Sequence, residues 1–283
     1  MVFEGNSGFP LACRLRPGTL HAACGALDVL RRLVERLRRA WPGADIRVRG
    51  DNGRAVPALL DYGEQDGPSY ACGYASNPVL ERRSAHWLEE LELVHRFYGR
   101  GEPTMQRYEQ LRDYQAQSWP APRRVVVKVE VTPQGSQRRY VVTNLADPEQ
   151  EVYRGFYVQR GGVPEQPIGQ LKGGRSGDRL SACGFCANAF KLLVAAAAYA
   201  LAVLYREACG GVEGVAEAEV GTPRERLWKV PGEVVQEDGG VRVSLPGDWA
   251  GRRTWEQTLE AVSEHGHQLQ RVGEPPGGVK QAT

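Results

Sequence analysis

The sequence is nearly without net charge and nearly without lysine. Thirty-six basic and 34 acidic residues leave a formal charge of +2 over 283 residues, so bulk charge does not announce a nucleic-acid binder. Only Lys128, Lys172, Lys191, Lys229 and Lys280 are lysine; the other basic residues are arginine, whose planar fork suits bidentate phosphate contacts. The start, Met-Val-Phe-Glu, has no basic region and no long apolar run, so no secretory signal is expected. Six scattered cysteines (Cys13, Cys24, Cys72, Cys183, Cys186, Cys209) then read as free thiols in a reducing cytoplasm. The longest apolar run, Leu192 to Tyr205, falls short of the about 20 residues a membrane span needs; it reads as a buried core helix, and no membrane partner is expected. Gly173 to Gly177 is glycine-rich, but no Gly-Lys-Ser/Thr closes it, which excludes a Walker A loop.

What is present is ordinary for a soluble globular protein: 41% hydrophobic and 25% charged residues. Phe9 to Leu15 reads as a strand ended by Arg16-Pro17-Gly18. A helix follows over roughly 21–40, with Leu27, Leu30, Val34 and Leu37 on one stripe. Arg31, Arg32, Arg38 and Arg39 lie largely off it, as a solvated face or as a DNA-facing patch. Asp45 to Arg49 is a short strand. Gly50-Asp51-Asn52-Gly53 follows at its C-terminal end, where α/β folds bind ligands, although Asp-Asn-Gly is also an ordinary turn. A short helix is expected over 57–67, a strand over 70–74 and a helix over 84–98. Arg107 to Trp119 is polar with aromatics. Arg124 to Val131 and Arg139 to Thr143 form a hairpin, and a helix is expected around 152–160. After Leu227 the chain turns polar, with a strand near 241–245 and disorder expected from Gly273.

Two stretches carry chemistry. In Tyr157-Val-Gln-Arg160-Gly-Gly-Val-Pro-Glu165-Gln-Pro-Ile-Gly-Gln-Leu-Lys172, Glu165 and Lys172 stand seven apart, two helical turns and one face. Pro164 and Pro167 fit only a first turn, so Glu165 would sit at the positive end of a helix dipole. The plain alternative is a helix start with solvated charges. The second stretch is Cys183-Gly-Phe-Cys186, which fits a thiol redox site or half a zinc site; no second pair lies at useful spacing.

The first of these stretches resembles the Tyr-Arg-Glu-Lys signature of bacterial insertion-sequence transposases with a DDE catalytic domain of the group 1 type. Leu15 to Thr19, Arg49 to Gly53, Val142 to Leu145 and Asp178 to Ser181 resemble further segments of that family, in the same order. The resemblance implies an RNase H-like α/β fold, a mixed sheet flanked by helices. It spans residues 1–227, with an insertion about 84–140 before the last catalytic helix and a polar tail over 228–283. It also implies cleavage and strand transfer of DNA by metal-dependent phosphoryl transfer in the cytoplasm, at the nucleoid. Asp51 and Glu165 would be catalytic carboxylates and ligands of Mg²⁺ or Mn²⁺. Tyr157, Arg160 and Lys172 would contact DNA phosphates. Transposon ends and target DNA are the implied partners, with self-association on DNA. The family places its first catalytic Asp on an earlier strand. The only acid before Phe9 is Glu4, which does not match it, so an N-terminally truncated, incomplete or inactive copy is expected. A non-catalytic DNA-binding remnant is the alternative.

Overall fold

The computed structural model describes all residues except 22, 99–103, 161–168, 170–180, 216–217, 220, 238 and 274–283, and the side chains of 160 and 267–273. In chain order it forms β1 (Val2–Phe3), β2 (Pro10–Ala12), α1 (Ala26–Ala40), β3 (Arg47–Gly50), α2 (Pro57–Gln65), β4 (Ser69–Tyr74) and α3 (Pro78–Tyr98). There follow β5 (Met105–Tyr114), β6 (Arg123–Thr132), β7 (Gly135–Thr143), a π-helix (Glu151–Tyr157) running into a 3-10 turn (Val158–Arg160), α4 (Phe185–Ala208), β8 (Glu233–Glu237), β9 (Gly240–Ser244) and α5 (Arg252–Gly273). The chain divides into two compact units, one of residues 16–165 and one of residues 1–15 with 166–283.

The 16–165 unit is built on a five-stranded mixed sheet of order β3-β4-β7-β6-β5. β3 and β4 run parallel, and every other pairing is antiparallel. This is an α/β architecture. The run Val125-Val126-Val127 is fully buried on both faces, as expected for a strand in a covered sheet. Val125, Val127 and Val129 face one way, into a core with Leu60, Leu80 and Leu91 from α2 and α3. Val126 faces the other way, with Ala71, Val141 and Val152, under the π-helix. The β6–β7 hairpin turns at Pro133-Gln134, and Gly135 supplies a φ of 128° that other residues resist.

The stretch 84–140, expected as an insertion, supplies most of α3, the strands β5 and β6, and the start of β7 in this same sheet. The reading of Arg107 to Trp119 contained no strand, yet β5 is ten residues long. Among the described residues it is the outer strand, paired only with β6, and its polar residues suit an edge position that must resist further pairing. α1 starts at Ala26, five residues later than expected, because Gly25 at its N-cap takes a left-handed φ of 69°. Three of its four off-stripe arginines are engaged within the protein. Arg38 donates to the carbonyls of Asp66 (2.5 Å) and Gly67 (3.1 Å), Arg31 lies over the Tyr62 ring, and Arg39 pairs with Glu35.

In the other unit, β1 and β2 form a small hairpin whose Phe3 and Phe9 pack on Tyr199 and Ala202 of α4. The strand expected over 9–15 is thus only three residues long. The run 192–205, expected as a buried core helix, lies within α4 with Leu192, Ala195, Ala196, Tyr199, Ala202 and Val203 buried, but the burial is partial. α4 runs 24 residues, long and apolar enough to cross a membrane by length and composition, and only 22% of its apolar window is buried. Soluble core helices pass the same test. The chain after Leu227, expected as a polar tail with one strand, carries the β8–β9 hairpin and the 22-residue α5.

Candidate active site at the end of the parallel strand pair

β3 and β4 are in register, with Gly50 opposite Cys72, so their C-terminal ends form one edge. Asp51 stands at that edge. It opens a 3-10 turn (Asn52–Arg54) in extended conformation, yet its side chain does not cap that turn. The side chain is exposed, and among the described residues it makes neither a hydrogen bond nor an ion pair. A carboxylate that leaves the N-H groups behind it uncapped forgoes a common stabilisation and keeps its oxygens open to solvent.

The π-helix lies across the same two strands. Two contacts tie it to the Asp51 edge. Arg49 Nη1 donates to the carbonyl of Phe156 at 2.9 Å, and its guanidinium lies 5.6 Å from the centre of the Phe156 ring. On β4, Gly73 faces the hydroxyl of Tyr157 and the side-chain oxygen of Asn52. A Cβ at position 73 would stand 2.5 Å from Tyr157 Oη, closer still to Asn52 Oδ1, and 3.3 Å from the Asn52 amide nitrogen. Glycine is what leaves room for both oxygens over the strand. Tyr74, the next residue, points to the opposite face with Tyr114 and Trp119, so the two faces of this edge are chemically distinct.

A row of aromatic rings runs away from Tyr157. Tyr157 and Tyr153 are 5.5 Å apart between ring centres, as are Tyr153 and Tyr108. Lys128 lies over the Tyr153 ring at 6.0 Å. Burial pushes the Tyr153 phenol up to about 12, outweighing the lowering effect of Arg139 beside it.

Of the residues expected from the sequence, the structure places Asp51 and Tyr157 at one edge, joined through Asn52 and Gly73. Arg160 ends the 3-10 turn that follows, but its side chain lies outside the described residues, as do Glu165 and Lys172 altogether. No group of three or more His, Cys, Asp or Glu side chains able to hold a metal occurs among the described residues. Asp51 fits a hard divalent cation as one oxygen ligand, and the rest of a donor set must come from elsewhere. Glu4 is not open in that way: its carboxylate accepts from the Ser7 amide (2.6 Å), the Ser7 hydroxyl (2.7 Å) and the Asn6 amide. Cys183 and Cys186 are both exposed, free thiols at the start of α4.

Arg49, Asn52, Gly73 and Phe156 were not singled out from the sequence. Gly73 carried a signal, since a glycine inside a strand pattern marks close approach of another group. The Arg49–Phe156 contact spans 107 residues and left no local trace.

No curated protein matches the chain. The family described as Transposase DDE domain group 1 matches it over residues 1–267, including most of the polar segment after Leu227. With that match across nearly the whole sequence, and an open acid at the end of a parallel strand pair where the family resemblance puts a catalytic one, the chain belongs to the group 1 transposase DDE-domain family.

Proposed function

We propose that this chain is the catalytic domain of an insertion-sequence transposase with an RNase H-like core, acting on DNA by metal-dependent phosphoryl transfer. The observation that carries this reading is the carboxylate of Asp51, open to solvent at the C-terminal ends of β3 and β4, the strand pair against which the π-helix lies. Asp51 and Glu165 would hold Mg²⁺ or Mn²⁺. When bound, a pair of such ions about 3.5–4 Å apart supplies charge stabilisation to the attacking and leaving oxygens of the phosphodiester. The chain's own residues orient the DNA: Tyr157, Arg160 and Lys172 at phosphates near the scissile bond. Binding of two transposon ends calls for self-association on DNA.

Two carboxylates give a weak centre. The outer edge of β3 carries no further strand among the described residues, and a strand laid there with an acid at its end would complete the set beside Asp51. Glu4 does not serve, because Ser7 and Asn6 hold its carboxylate. Residues 1–283 alone are therefore expected to bind DNA while cleaving little of it. The commitment of Glu4 is also what favours the second reading, a non-catalytic DNA-binding remnant.

The test uses DNA carrying the element's terminal repeats, with binding and nicking followed at several salt concentrations, with and without Mn²⁺. Salt-sensitive binding with trace nicking that Asp51→Asn abolishes supports the enzyme. Binding with no metal-dependent nicking at all supports the remnant. Absence of DNA binding contradicts both.

A further inference from the structure

One side of α4 is covered and the other is bare. Leu192, Ala195, Tyr199 and Val203 are buried, and Phe3 and Phe9 of the β1–β2 hairpin pack against that side. The bare side has an order of its own. Phe190, Val194, Ala197, Leu201, Leu204 and Ala208 recur at alternating steps of four and three; the first five are exposed and Ala208 is half-buried. Strict alternation of this kind is the spacing of knobs set into a facing helix, narrower than the stripe by which a helix sits on its own core. The charged residues of α4, Lys191, Arg206 and Glu207, all fall off it.

The side chains along the seam also say what covers it. Laid antiparallel on a second copy, about a two-fold axis level with position 199, the seam fits itself. Phe190 then faces Ala208 of the second copy, Val194 faces Leu204, and Ala197 faces Leu201. Each layer sets a larger side chain against a smaller one, which lets the helices interdigitate. A parallel pair would set Phe190 on Phe190 and Ala197 on Ala197, a crowded layer and a hollow one. The area suffices. Phe190, Leu193, Val194, Leu201 and Leu204 are between 43% and 68% exposed. At on the order of 100 Å² of open surface each, two copies bring about 1,000 Å² from these side chains alone, the level a specific interface needs. A bilayer, which the length and composition of α4 would also suit, does not fit its surroundings. Arg206 donates to the Ser7 carbonyl at 3.2 Å, and immersing α4 would carry the two-stranded β1–β2 sheet and its open edges into lipid.

We infer that α4 is a dimerisation surface: two copies of this chain pair antiparallel through the seam from Phe190 to Ala208, without DNA. The inference stands apart from the chemistry proposed at Asp51 and holds or fails without it.

Sedimentation equilibrium of the full chain without DNA tests it, under reducing conditions that keep the exposed Cys183 and Cys186 from cross-linking. A mass twice the 31.2 kDa of the chain is expected at micromolar concentration. Leu201→Glu puts a charge into the seam twice per two-fold dimer and is expected to weaken pairing about a hundredfold. Leu201 is exposed, so the melting curve should not move; Phe190→Ser replaces this variant if it does. Val241→Glu, at an exposed site on β9, should leave the dimer intact. Adding Ala197→Lys to Leu201→Glu sets Lys against Glu in the antiparallel pair and Lys against Lys in a parallel one, and should recover about tenfold of the lost affinity. Wild type that stays monomeric, whether or not it binds phosphatidylcholine vesicles, overturns the inference. So does association that Leu201→Glu leaves unchanged. A double variant that pairs no better than Leu201→Glu alone overturns the antiparallel arrangement.

Discussion

Gly73→Ala is the smallest change that probes the joint between Asp51's strand and the helix beside it. The added carbon would stand 2.5 Å from Tyr157 Oη, nearer still to Asn52 Oδ1, and 3.3 Å from the Asn52 backbone nitrogen. The Tyr157 oxygen has little room to retreat, whereas the exposed Asn52 side chain can turn aside. Tyr157 packs against the core under the π-helix and contacts the Tyr153 ring. Overpacking of this kind costs about 1–3 kcal/mol. For a chain of this size that is a fall in melting temperature of about 2–4 °C per kcal/mol. The cost should depend on Tyr157. In a Tyr157→Phe background the hydroxyl is gone, and Gly73→Ala should cost at least about 0.5 kcal/mol less, a coupling within the range that touching residues show. Urea denaturation of the four proteins of this cycle measures it. Strict additivity would refute the claim that Gly73 exists to let Tyr157 and Asn52 meet.

Two further perturbations test the frame around the site. Arg123 is 5% exposed, stacked 4.9 Å from the Trp119 ring, paired with Asp61 and 3.7 Å from Glu64; both acids keep access to water. Arg123→Met leaves carboxylates that water can solvate and should cost about 1–2 kcal/mol. Asp61→Ala leaves a buried guanidinium with only the longer Glu64 contact and should cost about 3 kcal/mol, and denaturation showing the reverse order would contradict this reading. For Glu4, burial would raise the carboxyl, but hydrogen bonds from Ser7 and Asn6 outweigh it and leave it below its ordinary 4.5. A depressed folded-state value stabilises the fold above the unfolded value, and that contribution is lost as pH falls through the folded one. Wild type should therefore out-melt Glu4→Gln at neutral pH, and the gap should close on acidification below 4.5; a gap unchanged by acid would show that the carboxylate does not hold the β1–β2 turn.

The strands that position the site were legible because their signals are local. Arg47 to Gly50 and Ser69 to Tyr74 are short runs bounded by turn residues, and the β6–β7 hairpin announces itself through valines and Pro-Gln-Gly. β5 was not legible because an edge strand is selected for charge on its open side, which erases the alternation a pattern search needs. α5 escaped notice for a related reason. Its buried side is narrow, with Trp255, Thr258 and Ala261 at three-residue steps amid charges, and it reads as a polar tail until something covers it. At the site, Asp51 and Tyr157 were found through family resemblance; nothing local to either residue showed that they share an edge. What brings the helix to that edge, Arg49 against Phe156 and the close approach of Asn52 and Tyr157 to Gly73, is long-range packing, which no window of sequence contains.

The central claim is that Asp51 and Glu165, far apart in the chain, share a divalent cation. Anomalous diffraction from crystals grown with Mn²⁺ tests it most directly. The account predicts a manganese peak within coordination distance, about 2.0–2.3 Å, of a carboxylate oxygen from each residue. A manganese-free edge with the two carboxyl groups facing apart would contradict it.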